Sequence, residues 1–419
     1  MHALMARLYP ICRSITGEGL RETLRIIAEY IPLAVREVPT GTAVFDWEIP
    51  KEWNLRDAYI KAPSGEKVVD FRDSNLHVVN YSLPVRGRFS LADLRGHLFS
   101  LPEHADWIPY RTTYYKEDWG FCLSHARLLR LREGDYEVCI DASLEDGHLS
   151  IGEFVIAGER EEEVLISTHA CHPSMCNDNL SGVVVATFLA ARLAAQPRRY
   201  SYRFLFVPGT IGPIAWLSLN EPRVSLIRHG LVLACLGDQG GFTYKRSRRG
   251  NAEIDRVVAH VLKTSGHPHR IVEFSPDGYD ERQYCSPGFD LPVGSLSRTP
   301  HGQFAEYHTS ADDLGFVRPE SLAGALSLIE DVFATLESNR TFQNTQPKGE
   351  PRLGKRGLYR AAGGRVERAS NELAMLWVLN LSDGRSSLLD IAERSALPFR
   401  AVAEAAAALR SAGLLEERT

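Results

Sequence analysis

The chain has no apolar run approaching the roughly 18 residues that a membrane-spanning helix needs, so a helical span is excluded. Its opening residues, MHALMARLYPICRSITGEG, lack a basic start, an apolar centre and a small-residue cleavage site, and do not read as a secretory signal. Cysteine is sparse and odd in number: seven, at positions 12, 122, 139, 171, 176, 235 and 285. Spread this widely, they make no disulfide framework and predict reduced thiols in a cytoplasmic protein. Neither charge sign dominates. A formal net charge of -5 argues against nucleic acid or another polyanion as the partner of the whole chain. What is present is ordinary for a soluble globular protein, 44% hydrophobic and 24% charged. A length of 419 residues exceeds one ordinary core and predicts two or three domains.

Leu20, Leu24, Ile27 and Ile31 share one helical face, which predicts a helical segment over residues 1–35 packed on a larger domain. Residues 36–125 have another texture. Strand-like pieces at 58–61 and 76–79 are broken by Pro63-Ser64-Gly65 and Pro84, predicting a β-rich insert or lid. Trp47, Trp53, Trp107 and Trp119 either pack that small domain or wall a substrate pocket. Over 126–340, strand patterns at 164–168, 202–207, 231–235 and 271–274 alternate with helices at 183–195 and 252–264, and a helix from 319 to about 337 closes the series. Such alternation predicts an α/β fold, a mostly parallel sheet flanked by helices.

The polar stretch 339–349, with Pro347 and Gly349, reads as a linker. Residues 350–419 form a further unit. Its segments 388–395, 400–411 and 413–415 run helix, helix, strand, and the order resembles a winged helix. DNA reading is disfavoured, because the second helix carries Arg400 and Arg410 against Glu404 and is otherwise mostly alanine. Protein docking is the plainer role. The basic run 245–249 reads as a solvated loop.

The chemistry is concentrated in 164–182, VLISTHACHPSMCNDNLSG. A short apolar strand ends on His169; His172 and Asp178 follow in the loop before a helix. Open α/β sheets place their ligands at that end of the strands. Far along the chain, the polar loop 306–314 (EYHTSADDL) adds His308. Two histidines, an aspartate and a distant histidine suit a catalytic zinc, which takes three protein ligands and keeps one position open. Asp178 has an alternative role as a helix N-cap, and His172 as a group orienting another ligand. Cys171 and Cys176 flank the loop as further thiolate candidates against the commoner buried thiol.

Residues 151–337 resemble the zinc aminopeptidase superfamily, which includes glutaminyl cyclases and transferrin-receptor-like proteins. There a strand ends on a ligand histidine and an Asp-Asp-Asn-x-Ser-Gly-like motif supplies a metal-bridging aspartate. Asn177-Asp178-Asn179-Leu180-Ser181-Gly182 stands in that place, and His308 in Tyr-His-Thr-Ser-x-Asp matches the later ligand histidine. The whole chain is similar to a bacterial aminopeptidase-like group sharing PICRSITGEGLRETL, YYKEDWGFCLSH and ERQYCSPGFDLPVG. The resemblance implies zinc held by Asp178, His308 and either His169, which the alignment favours, or His172.

One departure is large. The family carries a Glu-Glu pair after the next strand, one the general base and one a ligand. Alignment on Gly212 places Gly209 and Thr210 there, and neither can do that work. One zinc rather than two is therefore expected. Either another carboxylate replaces the base or the chain no longer hydrolyses peptides. Glu281 and Glu306 are the candidates to move the proton or anchor a substrate amine, and Asp280 and Tyr307 beside them are expected to bind substrate.

The leading expectation is a zinc-dependent hydrolase of the aminopeptidase type, acting on a peptide or small aminoacyl compound. A group-transfer or amide-modifying enzyme of biosynthesis on the same fold stays open. So does a non-catalytic binding protein that has lost its glutamates. No membrane partner is expected, and the choice between monomer and homo-oligomer stays open.

Overall fold

The computed structural model describes residues 1–358 and 366–418. Residues 359–365 and 419 of the expected C-terminal unit therefore lie outside the described residues. The chain forms two compact units: residues 1–250 with 270–326, and residues 251–269 with 327–419. No described helix is long and apolar enough to cross a membrane.

The large sheet has eight strands in the order Ala34–Pro39, His148–Ile156, Ser201–Val207, Glu163–His169, Ile227–Leu233, Val293–Ser297, Phe242–Lys245, His269–Val272. The four central strands, from Ser201–Val207 to Val293–Ser297, run parallel. The strands flanking them pair antiparallel. Every residue of Glu163–His169 is buried, as expected for a parallel strand covered on both faces. This continuous burial extends to Glu163, whose carboxylate receives two 2.6 Å bonds from Arg203 on the neighbouring strand. The bidentate pair satisfies both charges at the end of the sheet remote from the loops described below. The expected helix at 183–195 is Gly182–Leu193, and the closing helix is Pro319–Ser338.

Residues 1–35 are not one helix. They form His2–Leu8 and Glu18–Ile27, joined by a loop. Gly17 explains the break: its φ is +94°, and a Cβ there would lie 2.0 Å from the carbonyl oxygen of Trp53. The predicted apolar face survives, with Leu20, Leu24, Ile27 and Ile31 all buried.

The β-rich insert contains a four-stranded sheet in the order Lys67–Asp70, Glu52–Lys61, Asp135–Glu145, Val85–Ser90. Its longest strand, Asp135–Glu145, lies beyond the expected limit at 125, so the insert closes only when the chain returns to it. The expected strand at 76–79 is instead a 3-10 turn, Asn75–His77. Ser74 Oγ accepts the Leu76 N–H and fixes that turn. Trp53 is buried and donates to Ser82 O (2.8 Å), and Trp119 stacks on His97 at 3.7 Å. These two tryptophans are packing residues.

The second unit has a three-stranded sheet, Asp383–Ser387, Thr341–Asn344, Leu415–Arg418. The helices Val366–Leu381, Leu388–Ser395 and Phe399–Ser411 accompany it. The stretch read as a linker thus supplies the central strand of this sheet. Phe342 is buried there, and Asn344 Nδ2 donates to Leu379 O (2.8 Å), so an apolar and a polar side chain of this stretch both serve the structure. Ser387 and Asp390 form a reciprocal capping box at the start of Leu388–Ser395. Phe399–Ser411 buries Phe399, Val402, Ala405, Ala406 and Leu409. Its arginines face acids: Arg400 bonds Glu404 (2.8 Å) and Arg410 approaches Glu417 (3.4 Å).

Candidate functional site

His169 is the last residue of its strand, in register with Val207 of the adjacent parallel strand. The loop after it is held by side chains rather than by regular structure. Asn179 Nδ2 donates to Thr168 Oγ1 (2.9 Å) and His169 O (3.1 Å), while its Oδ1 accepts from Cys235 N (3.2 Å) and Gly182 N (3.3 Å). Asn177 spans to the next strand end, accepting from Gly237 N (2.8 Å) and donating to Asp238 Oδ2 (3.1 Å). Ser181 Oγ donates to Asn177 O (2.6 Å) and accepts from Leu236 N (2.8 Å). The flanking residues of Asn-Asp-Asn-Leu-Ser-Gly thus satisfy the loop's backbone and leave the Asp178 carboxylate free to meet other groups.

Asp312 completes the cradle. Its two carboxylate oxygens accept from Asn177 N (2.5 Å) and Asp178 N (2.9 Å), and its backbone oxygen accepts from Cys176 N (2.9 Å). Burial pushes the Asp312 carboxyl up to about 8, despite these N–H donors, with Asp178 adding to the rise.

Around Asp178 three histidines converge. His169 Nε2 lies 2.9 Å from Oδ1, His308 Nε2 lies 3.0 Å from Oδ2, and His172 Nδ1 lies 3.8 Å from Oδ2. The ligand atoms of His169, His172 and Asp178 fall within 4.8 Å of one another, and His308 joins through the Asp178 oxygen. Burial disfavours the Asp178 charge, but His172, His169 and His308 outweigh it and hold the carboxyl well below its ordinary value. Burial pushes His172 down to about 3, which keeps its imidazole neutral. His172 Nδ1, Asp178 Oδ2 and His308 Nε2 are buried without a well-formed hydrogen bond. Three unsatisfied polar atoms facing one point suit an additional group that carries positive charge.

The surroundings fix these rings. Arg13, fully buried, donates from Nε to His172 O (2.8 Å) and from Nη1 to Leu8 O (2.6 Å). Tyr110 stands edge-on to His172 (5.2 Å) and His308 (5.0 Å), and its N–H donates to His308 O (2.7 Å). Tyr307 stacks on His308 at 3.9 Å.

The cluster opens into a cleft of about 230 Å³, lined also by Tyr114, Tyr115, Cys171, Gly209, Thr210, Asp280, Arg282 and Tyr307. Asp280 Oδ1 accepts from Thr210 N (2.7 Å), its Oδ2 has no partner, and burial raises its pKa. Arg282 Nη2 lies 3.4 Å from Thr210 Oγ1. Of the two carboxylates favoured as base, neither lines the cleft. Glu281 is buried against Lys245, with Oε1 2.5 Å from Nζ. Glu306 is half-buried, and its backbone oxygen takes the Thr309 N–H and hydroxyl. Asp280, the neighbour of Glu281 expected to bind substrate, does line it. Cys171 faces the cleft as a thiol, pushed up to about 12 by burial, and Cys176 is buried.

Sequence reasoning passed over Arg13, Asp312, Tyr110, Tyr114 and Tyr115. Four of them had a signal, since quoted phrases contain them: Arg13 in PICRSITGEG, Tyr114 and Tyr115 in YYKEDWG, Asp312 in YHTSAD; Tyr110 had none.

Comparisons with known proteins bear on the family and the fold. Residues 2–339 match the family described as domain of unknown function (DUF4910), and residues 340–417 match a winged helix-turn-helix family. A relative from Clostridium acetobutylicum is named a putative polysaccharide biosynthesis protein with aminopeptidase-like domain. It is 52% identical over 416 residues, spanning 99% of this chain and 96% of its own. A crystal structure of a putative peptidase from the same organism superposes with a TM-score of 0.95 at 50% identity, over 100% of this chain and 96% of that one. A zinc aminopeptidase from Bacillus subtilis shares the fold, with a TM-score of 0.57 at 12% identity over 79% of this chain and 93% of that one. A peptidase M28 precursor from Shewanella amazonensis does so too, at 0.56 and 13%, over 80% and 92%.

Proposed function

Because the chain belongs to the DUF4910 family, with a winged helix-turn-helix after it and an aminopeptidase-like fold, we propose that it is a zinc-dependent amide hydrolase. The observation that carries the reading is the convergence of His172 Nδ1, Asp178 Oδ2 and His308 Nε2, buried, close to one another and without a well-formed hydrogen bond, on the wall of an open cleft. Two imidazoles and a carboxylate suit zinc, and three ligands leave the open position that catalysis needs. In this reading His169 is the orienting group, holding Asp178 through its 2.9 Å contact to Oδ1. Bound there, zinc supplies Lewis acidity toward an amide carbonyl and lowers the pKa of water.

The protein's own residues supply the rest. Asp280, oriented by the Thr210 N–H, takes a proton from the attacking water through Oδ2 and returns it to the leaving nitrogen. Its raised pKa brings it closer to neutrality, which favours both transfers. Arg282 is the cleft's cation and holds a carbonyl or carboxylate of the substrate. Tyr307, stacked on His308, borders the reacting carbonyl.

The relative's name motivates a second reading, an amide-modifying step within a biosynthetic sequence. Gly209 and Thr210 motivate a third, a binding protein without turnover. The winged helix is read as a docking module, since its second helix directs Arg400 and Arg410 at glutamates. Elemental analysis of the purified chain, paired with aminoacyl 4-nitroanilide hydrolysis before and after chelation, separates these. About one zinc per chain and chelator-sensitive turnover are expected. No zinc and no turnover would leave the binding-protein reading.

A further inference from the structure

The cleft shares Tyr114 and Tyr115 with a second, larger cavity of about 570 Å³. The link between them is physical. Tyr114 OH bonds Tyr110 OH (2.7 Å), and Tyr110 stands against both His172 and His308. The two cavities therefore border one another across these tyrosines, within one compact unit.

Exposed aromatic surface borders this cavity. Tyr115 of its lining is 64% exposed, and Trp47, 39% exposed, stands edge-on to Tyr115 at 5.3 Å. Large exposed aromatics gathered at a cavity mouth mark a binding surface rather than a packing remnant. Inside, Tyr81 adds a further ring, anchored by its hydroxyl on Lys51 O.

The charged lining decides the class of occupant. Lys51 and Lys116 are set against Glu48, Glu117 and Asp146, so no cationic field is present for a phosphate-bearing ligand. Lys116 is moreover paired with Asp118 at 2.9 Å. An apolar peptide side chain would desolvate these polar groups without satisfying them. A neutral, hydroxyl-rich ring meets both requirements. Its C–H face lies on aromatic surface, and its hydroxyls reach carboxylates and ammonium groups.

We propose that this cavity is a sugar subsite, and that the substrate is an N-acylated amino sugar whose ring rests on Trp47, Tyr114 and Tyr115 while its amide enters the cleft. This rests on the amide-hydrolase reading above and narrows its substrate. The reaction balances as hydrolysis. Water gives its hydroxyl to the acyl carbon, the C–N bond breaks, and the proton passes to the nitrogen, leaving a carboxylic acid and a free amino sugar. Asp280 is the sole aspartate or glutamate on the cleft wall besides Asp178. With Asp280 handling the proton, no second carboxylate remains there to grip a free α-ammonium, and an amide lacking one fits better.

The test is binding, measured apart from turnover. N-acetylglucosamine, N-acetylgalactosamine and N,N′-diacetylchitobiose are titrated into the full chain by calorimetry, with a tetrapeptide amide as the competing class. At least one sugar is expected to bind the wild type and the Asp280→Asn variant alike, and about tenfold or more weakly to Trp47→Ala. Trp47→Phe, which keeps a ring, should retain most of the affinity and covers the case in which Trp47→Ala fails to fold. Sugar binding without hydrolysis sinks the hydrolase reading and leaves the subsite standing. Hydrolysis of aminoacyl anilides with no sugar bound, or tetrapeptide binding that depends on Trp47, overturns the subsite and leaves the hydrolase.

Discussion

Two neighbouring strands of this sheet end in the same layer and have been treated differently. Glu163–His169 and Ser201–Val207 run parallel, with His169 opposite Val207. After the first comes a loop dense with side-chain bonds that presents His172 and Asp178. After the second comes Pro208-Gly209-Thr210, where the resembling family carries two glutamates. A Cβ on Gly209 would meet nothing nearer than Cys171 Sγ and His169 Cβ, both at 3.8 Å. The space for a side chain is still there. The contrast teaches that a loop can lose its acids without collapse when another element covers the same ground. Here that element is 278–282, from which Asp280 reaches back to the Thr210 N–H. On the proposed reading, the metal half of the site was kept and the proton half was moved.

The contrast breaks most sharply on the first loop. Asp178→Ala or His308→Ala removes one of three proposed ligands, and each is expected to abolish zinc binding and hydrolysis together. Folding should persist, because the four parallel strands bury their own core. Zinc content unchanged in both variants, by elemental analysis, would end the assignment.

On the second loop the expected loss is large but of another kind. Asp280→Asn should keep its zinc and lose about 10² to 10⁴ in turnover, the range for a removed general base. Glu281→Gln serves as the contrast. It cuts the ion pair to Lys245 and is read by thermal unfolding more than by rate. A full rate in Asp280→Asn, with a collapse in Glu281→Gln, would reverse the two roles.

Much of this was legible in the chain, and the failures have physical causes. The parallel strands could be read because burial on both faces makes continuous apolar runs. His169, His172, Asp178 and His308 could be read because histidine and aspartate at a strand end answer no packing need. Thr341–Asn344 could not. A four-residue strand with one apolar side chain has no period to detect, and its partners, Asp383–Ser387 and Leu415–Arg418, are about 40 and 70 residues downstream. That Glu281 and Glu306 do not line the cleft was illegible for a related reason. Asp280, Glu281 and Glu306 are alike as letters, and only the fold shows that Lys245 takes Glu281 while Asp280 faces the cleft.

The histidines permit a finer cut within the first loop. His172 carries the unpartnered Nδ1, whereas His169 bonds Asp178. His172→Ala should lose zinc as Asp178→Ala does. His169→Ala removes an orienting group, and a drop of about 10- to 100-fold in zinc affinity is expected. Competition titrations with a chelating dye would show this. The reverse ranking would exchange the two roles and leave the rest of the site intact.

The smallest effect tests whether the second loop can be restored. Gly209→Glu places a carboxylate where the open space begins, and no backbone atom stands within 4 Å of its Cβ. In the wild type the added acid competes with Asp280 for the same proton, and little change in rate is expected. In the Asp280→Asn background it stands alone, and a recovery of about tenfold is expected, well short of the full base contribution because the new side chain lacks the Thr210 N–H that orients Asp280. Single-turnover hydrolysis with zinc content matched across the four proteins reads this directly. Equal rates in Asp280→Asn with and without the new glutamate would mean that the second loop no longer borders the reacting atoms, and the two strand ends would then differ in position as well as in residues.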